Sequence, residues 1–202
     1  YISFSGGIDV PSINGSVSTH TKAKIGGLDG RPLQKGDELG IKAFTRDEVH
    51  VCDYRGEGHT LFNTALYNRG GRECHEPLRV VLGDQAKHFT EKGIKTFSDN
   101  IYTLTVECDR MGFRLDGPEI EHVDSADIIS DGAVFGSIQV PSNGHPIVLM
   151  ADRQTTGGYT KIGTIITADL PRLSQLPVGD GINFNIVSID EAQDIYRAYM
   201  ER

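Results

Sequence analysis

Short apolar runs alternate with polar, glycine-rich stretches along this chain, and their period is that of strands. Ile147, Val148, Leu149 and Met150 form one run, and residues 162–166 form a second that is rich in β-branched side chains. Tyr102, Leu104 and Val106 alternate with Thr103, Thr105 and Glu107, while Ile182, Phe184 and Ile186 alternate with Asn183 and Asn185. Both patterns suit half-buried strands. Turn signals at Gly6-Gly7, Gly26-Gly27, Gly36-Asp37, Asp116-Gly117-Pro118, Ser142-Asn143-Gly144 and Gly179-Asp180-Gly181 break the chain at short intervals. That spacing favours an all-β barrel or sandwich over βαβ units. Two helices are predicted as the minor α component. Asp84 is placed as the cap of a short one through Phe89, and Ser188-Ile189-Asp190-Glu191 has capping-box spacing before Ala192, Ile195, Tyr196 and Tyr199.

The stretch between the two apolar runs carries the most chemistry. A loop that only reverses the chain needs about two to five residues, whereas Asp152, Arg153, Gln154, Thr155, Thr156, Gly157, Gly158, Tyr159, Thr160 and Lys161 present a carboxylate, two cations, an amide, three hydroxyls, a phenol and a Gly-Gly pair. We read residues 152–161 as a binding loop rather than a solvated reversal. A boundary is placed near Pro77, where the irregular Arg69-Gly70-Gly71-Arg72 gives way to the apolar Leu78-Arg79-Val80-Val81-Leu82.

Composition narrows the partners. The 202 residues carry 24 glycines, about 12% against a usual ~7%, which suits many tight turns. With 20 basic against 28 acidic residues and a net charge of −8, the chain repels phosphate backbones and anionic lipid. Tryptophan is absent, so stacking on single-stranded nucleic acid is poorly supplied. Neither nucleic acid nor membrane is the expected partner, and no run approaches the roughly 18 apolar residues of a spanning helix. Three widely spaced cysteines do not make a disulfide framework and favour a reducing, cytoplasmic setting. Tyr1-Ile2-Ser3-Phe4-Ser5 reads as a strand, so the chain is expected to begin in mid-domain.

Several motifs occur in one familiar order: Gly6-Gly7-Ile8-Asp9-Val10-Pro11, Ser18-Thr19, Gly26-Gly27, Gly30-Arg31, Gly36-Asp37, Asp109-Arg110-Met111-Gly112-Phe113-Arg114-Leu115-Asp116-Gly117, Ser130-Asp131-Gly132, Ile138-Gln139-Val140-Pro141 and the stretch from Asp152 to Tyr159. In these the chain resembles the allophanate hydrolase subunit 2 family, which includes the C subunits of 5-oxoprolinases and is also called biotin-dependent carboxyltransferase subdomains A and B. Residues 45–77 match nothing in it. The resemblance implies cyclophilin-like β-barrels: residues 1–77 as the remainder of a first, incomplete barrel with an irregular connection, and residues 78–202 as a second barrel with a C-terminal helix.

It also implies an enzyme subunit, a hydrolase of a cyclic amide that opens the lactam of 5-oxo-L-proline to L-glutamate with ATP. The chain lacks a G-x-x-x-x-G-K-[ST] loop, a biotin-carrier segment and a G-x-S-x-G elbow. ATP is therefore expected at a site shared with another subunit. The implied partners are a subunit-1-like protein, similar to the B subunit of 5-oxoprolinase, and a lactam-hydrolase-like component. Two alternatives stay open: the carboxyltransferase part of a urea carboxylase/allophanate hydrolase system, for which biotin would be the cofactor, and a KipA-like regulatory protein that antagonises a kinase inhibitor.

Within the hydrolase reading, Asp152 is the expected base, with Gln154 and Lys161 as its catalytic neighbours. Arg114 or Lys161 is expected to meet a carboxylate or phosphoryl oxygen, since a guanidinium recognises such groups bidentately. Gln139, Gln154 and Tyr159 are expected to hold an amide edge, and Thr155, Thr156 and the N–H groups of Gly157 and Gly158 to stabilise an oxyanion. The structural alternative pairs Asp109 with Arg110 and braces Arg114 against Asp116. No metal is expected at His50, Cys52, His59, Cys74 and His75, whose spacing lacks the paired ligands of zinc sites. His145 is read as a turn histidine in Asn143-Gly144-His145-Pro146 or a base at the site mouth.

Overall fold

The computed structural model describes residue 4, residues 6–43 and residues 76–201. The expectations for the first strand, for residues 45–75 and for His50, Cys52, His59, Cys74 and His75 lie outside the described residues, apart from Phe4. The chain divides into two compact units, Tyr1–His59 and Thr60–Arg202. In the described part of the first, pairing takes the form of isolated bridges, Ile8 with Ile41, Ile13 with Ser16 and His20 with Ile25. Its firmest polar contact is Asp37, which accepts from Arg31 Nη1 and Nη2 at 2.7 and 2.9 Å and from the Gln34 N–H at 2.7 Å. These bonds, the one from Arg31 first, bring the Asp37 carboxyl down to about 2.

The second unit is a barrel. Its strands are β1 (Leu78–Leu82), β2 (Tyr102–Leu104), β3 (Gly112–Asp116), β4 (Asp127–Gly132), β5 (Ser137–Gln139), β6 (Ile147–Leu149), β7 (Thr156–Tyr159), β8 (Lys161–Ile165), β9 (Gly181–Ile182) and β10 (Phe184–Ile186). Eight of them form one sheet in the order β10-β1-β8-β5-β6-β3-β2-β9. Because β9 and β10 are separated by Asn183 alone, one extended segment pairs at both ends of the sheet: Tyr102 with Ile182, and Leu78 with Phe184. The sheet is thus nearly closed, and its edges are paired. β4 and β7 stand apart as a two-stranded ribbon.

Alternation, with the β5–β8 irregularity letting β8 add both Ile162 and Ile165, puts Leu78, Val80, Leu104, Leu115, Ile138, Val148, Ile162, Ile165, Ile182 and Phe184 inside, where they form one core. Phe184 stacks on Phe97 with ring centroids 4.4 Å apart and tilts against Tyr102 at 5.9 Å. Phe97 arrives on α1 (Glu91–Asp99), a helix the apolar pattern did not reveal. Thr90 caps it by accepting from the Gly93 N–H at 2.9 Å. Gly93 sits so close to the next segment that a β-carbon there would lie 2.3 Å from the Glu121 carbonyl oxygen, so the helix packs through its backbone.

Two sequence expectations need correction. The turn at Asp84–His88 is a 3₁₀ helix capped by Gly83, with Asp84 inside its first turn. The strand predicted through Val106 stops at Leu104, and Val106 is 86% exposed, because the chain turns there to begin the β2–β3 connection. The terminal helix α3 (Ile189–Met200) is as expected: Ser188 Oγ accepts from the Glu191 N–H at 3.2 Å. It follows α2 (Leu170–Leu173) in the chain and lies against β1 and the Thr167–Asp169 turn. Among the described residues no helix is long and apolar enough to cross a membrane.

Among the described residues of this unit Asp169 is a buried charge, 3% exposed. Its carboxylate accepts from the Arg79 backbone N–H at 2.8 Å and from Arg79 Nε at 3.0 Å, and Arg172 lies at 3.5 Å. Removing one partner of such a pair leaves an uncompensated buried charge. Arg79→Met is therefore expected to cost about 3 kcal/mol in urea unfolding, whereas Arg110→Met, which breaks an exposed pair, is expected to cost about 0.5 kcal/mol or less. Equal losses in the two variants would contradict this assignment.

Candidate functional site

The register of four neighbouring strands lines up Arg114, Ile147, Gln139 and Lys161, each the partner of the next. Their sequence neighbours Phe113, Val148, Ile138 and Ile162 belong to the core, so alternation turns this row to the outer face of the barrel. A register shift between Ile138 and Gln139 places Lys161 opposite Gln139.

That outer face is not open at Gln139. The predicted loop of residues 152–161 is in part strand: Thr156–Tyr159 is β7, which pairs with β4 through Asp127 to Tyr159, Asp131 to Gly157 and Gly132 to Thr156. Gly157 lies directly on the Gln139 side chain, and a β-carbon at that position would be 2.3 Å from Nε2. Gln139 is 2% exposed, its Oε1 accepts from Gln154 Nε2 at 3.4 Å, and its own Nε2 is buried without a hydrogen-bond partner.

Beside it stands a second polar group. Lys161 Nζ donates to Asp131 Oδ2 at 3.0 Å, with the lysine side chain only 14% exposed. Gln85, on the 3₁₀ turn after β1, donates from Nε2 to the same Asp131 oxygen at 2.8 Å and accepts the Lys161 backbone N–H on Oε1 at 2.9 Å. Gln85 thus holds the Lys161 backbone directly and its ammonium through Asp131. Neither Gln85 nor Asp131 was singled out as a site residue from the sequence. Asp131 lies in the Ser130-Asp131-Gly132 motif, but nothing in the local pattern links Gln85 to a lysine 76 residues away.

The structure brings Gln139, Gln154, Gly157 and Lys161 together and gives other expected residues different company. Asp152 accepts from Arg110 Nε and Nη2 at 2.8 and 2.9 Å, so both its oxygens are directed at a guanidinium. Arg114 pairs with Glu107 at 3.1 Å and not with Asp116, which lies 3.8 Å from His145 Nδ1. Asp109 closes its own turn, accepting from the Met111 and Gly112 N–H groups at 2.6 and 3.3 Å. The Thr155 carbonyl accepts from the Ala133 N–H at 2.9 Å, Thr156 and Gly158 lie in β7, and Tyr159 is 41% exposed on the ribbon.

A third polar contact anchors the corner where β7 turns into β8. Thr160 is fully buried, and His122 Nε2 lies 3.0 Å from its Oγ1 and 3.1 Å from the Val140 carbonyl oxygen. Burial, and to a lesser extent the nearby His88, pushes the His122 imidazole below its ordinary range. In the neutral ring an Nε2–H can donate to both oxygens.

The family model described as "Carboxyltransferase domain, subdomain A and B" matches residues 1–186. The chain belongs to that family. It is 38% identical over 192 residues to the C subunit of 5-oxoprolinase from Escherichia coli, covering 95% of this chain and 57% of that protein. It is 35% identical over 199 residues to the C subunit of 5-oxoprolinase from Haemophilus influenzae, covering 98% of this chain and 59% of that protein. The chain thus spans somewhat more than half the length of these relatives. Among solved structures, the K. lactis urea amidolyase superposes with a TM-score of 0.78 at 24% identity, covering 98% of this chain and 12% of that one, a likeness of fold.

The Lys161–Asp131 pair makes a titration prediction for this member of the carboxyltransferase-domain family. The Lys161 hydrogen bond first, then the Gly132 N–H, holds the Asp131 carboxyl below the ordinary carboxylate range. A carboxyl lowered on folding contributes stability that is complete above its unfolded value of about 4 and is lost as pH falls through the folded value. Carboxyl NMR is expected to show Asp131 titrating below an exposed aspartate, and Lys161→Met to move it upward. An unchanged midpoint in Lys161→Met would remove the ammonium as the cause.

Proposed function

We propose that this chain is part of a subunit of an ATP-dependent 5-oxoprolinase, a complex that opens the lactam of 5-oxo-L-proline to L-glutamate. The identity of 38% and 35% with two proteins named as C subunits of 5-oxoprolinase, across nearly the whole of this chain, carries the reading. The outer-face site supports it chemically. Gln139 and Gln154 offer amide groups suited to an amide edge, and Lys161 brings a cation beside them.

The lactam itself sets the demand on such a complex. Amide resonance makes its carbonyl carbon a poor electrophile, so transfer of the ATP γ-phosphoryl group to the carbonyl oxygen prepares it for attack by water. The ring C–N bond then breaks, its nitrogen leaves as the amine of glutamate, and the phosphoryl group ends as phosphate. One water is consumed in opening the ring and one in releasing the phosphate. In this chain the role of Gln139, Gln154 and Lys161 is to bind and orient the amide and its charged neighbours.

Three cations at this part of the molecule already face carboxylates, Lys161 with Asp131, Arg110 with Asp152 and Arg114 with Glu107, while Arg153 is directed at the Ala133 and Met150 carbonyls. We therefore assign the triphosphate to a surface shared with another subunit, a subunit-1-like protein acting together with a lactam-hydrolase-like component.

The test is to purify the full-length chain, assay it alone and then with both components, and measure 5-oxoproline-dependent ATP hydrolysis. Activity is expected only on mixing. Robust turnover by the isolated chain would remove the partner requirement, and no 5-oxoproline-dependent hydrolysis in the complete mixture would defeat the whole reading. In the active mixture, Gln154→Ala and Lys161→Ala are each expected to lower kcat/KM by about tenfold or more, the equivalent of one lost hydrogen bond to a charged or reacting group. Gln154→Ala is expected to change unfolding free energy by about 0.5 kcal/mol or less. Loss of stability in step with activity would point to a structural role.

A further inference from the structure

Gln139 breaks the rule that buried polar groups are paired. Its carboxamide has an acceptor end met by Gln154 and a donor end met by nothing, although the side chain is 2% exposed. An N–H group in this position has lost its water and gained no partner. A hydrophobic side chain of the same length would fill the space without that loss, so the amide costs stability where it stands.

What covers the donor is a thin piece of structure. Gly157 lies against Nε2 where any β-carbon would collide with it, and the backbone at Gly157 is not in the left-handed region. Glycine is therefore favoured there by space and not by conformation, since a β-carbon would have to push the Gln139 carboxamide aside. A second glycine, Gly158, follows it, and both lie on β7, whose strand partner is β4. The ribbon is not part of the eight-stranded sheet. Its β4 strand is exposed along nearly all its length, with Ile129 97% exposed, and its register shifts between Asp127 and Asp131. Such a ribbon has few buried apolar contacts to hold it down, the property of segments that open locally.

We propose that Gln139 is the buried end of a binding site for a small ligand that presents a carbonyl or carboxylate oxygen, and that the β4–β7 ribbon is the flap covering it. With the flap displaced, Nε2 donates to the ligand oxygen, and the donor that is unpaired in the closed form becomes satisfied. The preference is for an acceptor: Oε1 is occupied by Gln154, so a ligand that offers an N–H at this point meets another N–H. This rests on the site of the preceding reading and adds to it the chemistry that the buried end selects and the segment that must move.

Two variants of the full-length chain, assembled with its subunit-1-like partner, test the inference. The probes are 5-oxo-L-proline and, separately, urea, with affinity read by calorimetry and opening read by amide hydrogen exchange at Gly157 and Gly158. At least one probe is expected to bind the unaltered protein and to change exchange at those two amides. Gln139→Met is expected to weaken that binding by about tenfold or more while Tm stays the same or rises, since an unpaired buried amide has been removed. Gly157→Ala, whose methyl group would press on Nε2 in the closed form, is expected to open the flap, speeding amide exchange at residues 157 and 158 without weakening binding. Binding of neither probe to the unaltered protein, unchanged affinity in Gln139→Met, or a fall of Tm in that variant matching its loss of binding would overturn the proposal.

The outcomes also separate it from the lactam reading. Gln139-dependent binding of urea without binding of 5-oxo-L-proline would support this site and defeat that function. Undiminished 5-oxoproline turnover in Gln139→Met would defeat this site and leave that function standing.

Discussion

Closure of the barrel by residues 181–186 is the constraint on which the rest of the second unit depends. One short segment, interrupted only at Asn183, pairs with β2 through Ile182 and with β1 through Phe184, so the eight-stranded sheet ends on itself. Phe184 is also the residue on which Phe97 stacks and against which Tyr102 tilts. The same side chain therefore joins the seam to the core and to α1. An open sheet would leave two rows of unpaired backbone groups and a core exposed along one side. Closure removes both defects and sets which face of every strand is inside.

Once inside and outside are fixed, the polar residues of the row from Arg114 to Lys161 have one place to go. They line up on the outer face, and what happens to each depends on what covers it. Arg114 meets solvent and Glu107, whereas Gln139 is buried beneath Gly157 and Lys161 is held between Asp131 and Gln85. Among the described residues two buried side-chain atoms lack a hydrogen-bond partner, Gln139 Nε2 and His145 Nδ1. Such exceptions concentrate at functional sites, where stability is given up for binding.

Much of the barrel was legible in the sequence because strands and caps are local. The runs at residues 78–82, 147–150 and 162–166 became β1, β6 and β8, with ends moved by a residue or so. Ser188 caps α3, as the spacing predicted, by accepting from the Glu191 N–H. The helix carrying Phe97 was not legible, since its apolar positions are few and its close packing runs through Gly93, a residue that ordinarily argues against a helix. The stretch of residues 152–161 was correctly marked as polar and glycine-rich, but its chemistry divides between two strands and two different neighbours.

By itself, then, the sequence determined the all-β class, the positions of β1, β2, β6, β8 and the β9–β10 segment, the terminal helix and, through ordered motifs, the family. These follow from side-chain period, turn chemistry and capping, each decided within a few residues. Tertiary structure alone decided which polar residues meet. Asp152 turns to Arg110 across 42 positions, Gln85 reaches Lys161 across 76, and Gly157 closes over a glutamine on another strand. Those encounters depend on strand register and barrel closure, which are properties of the whole fold and leave no trace in the local pattern of any one segment.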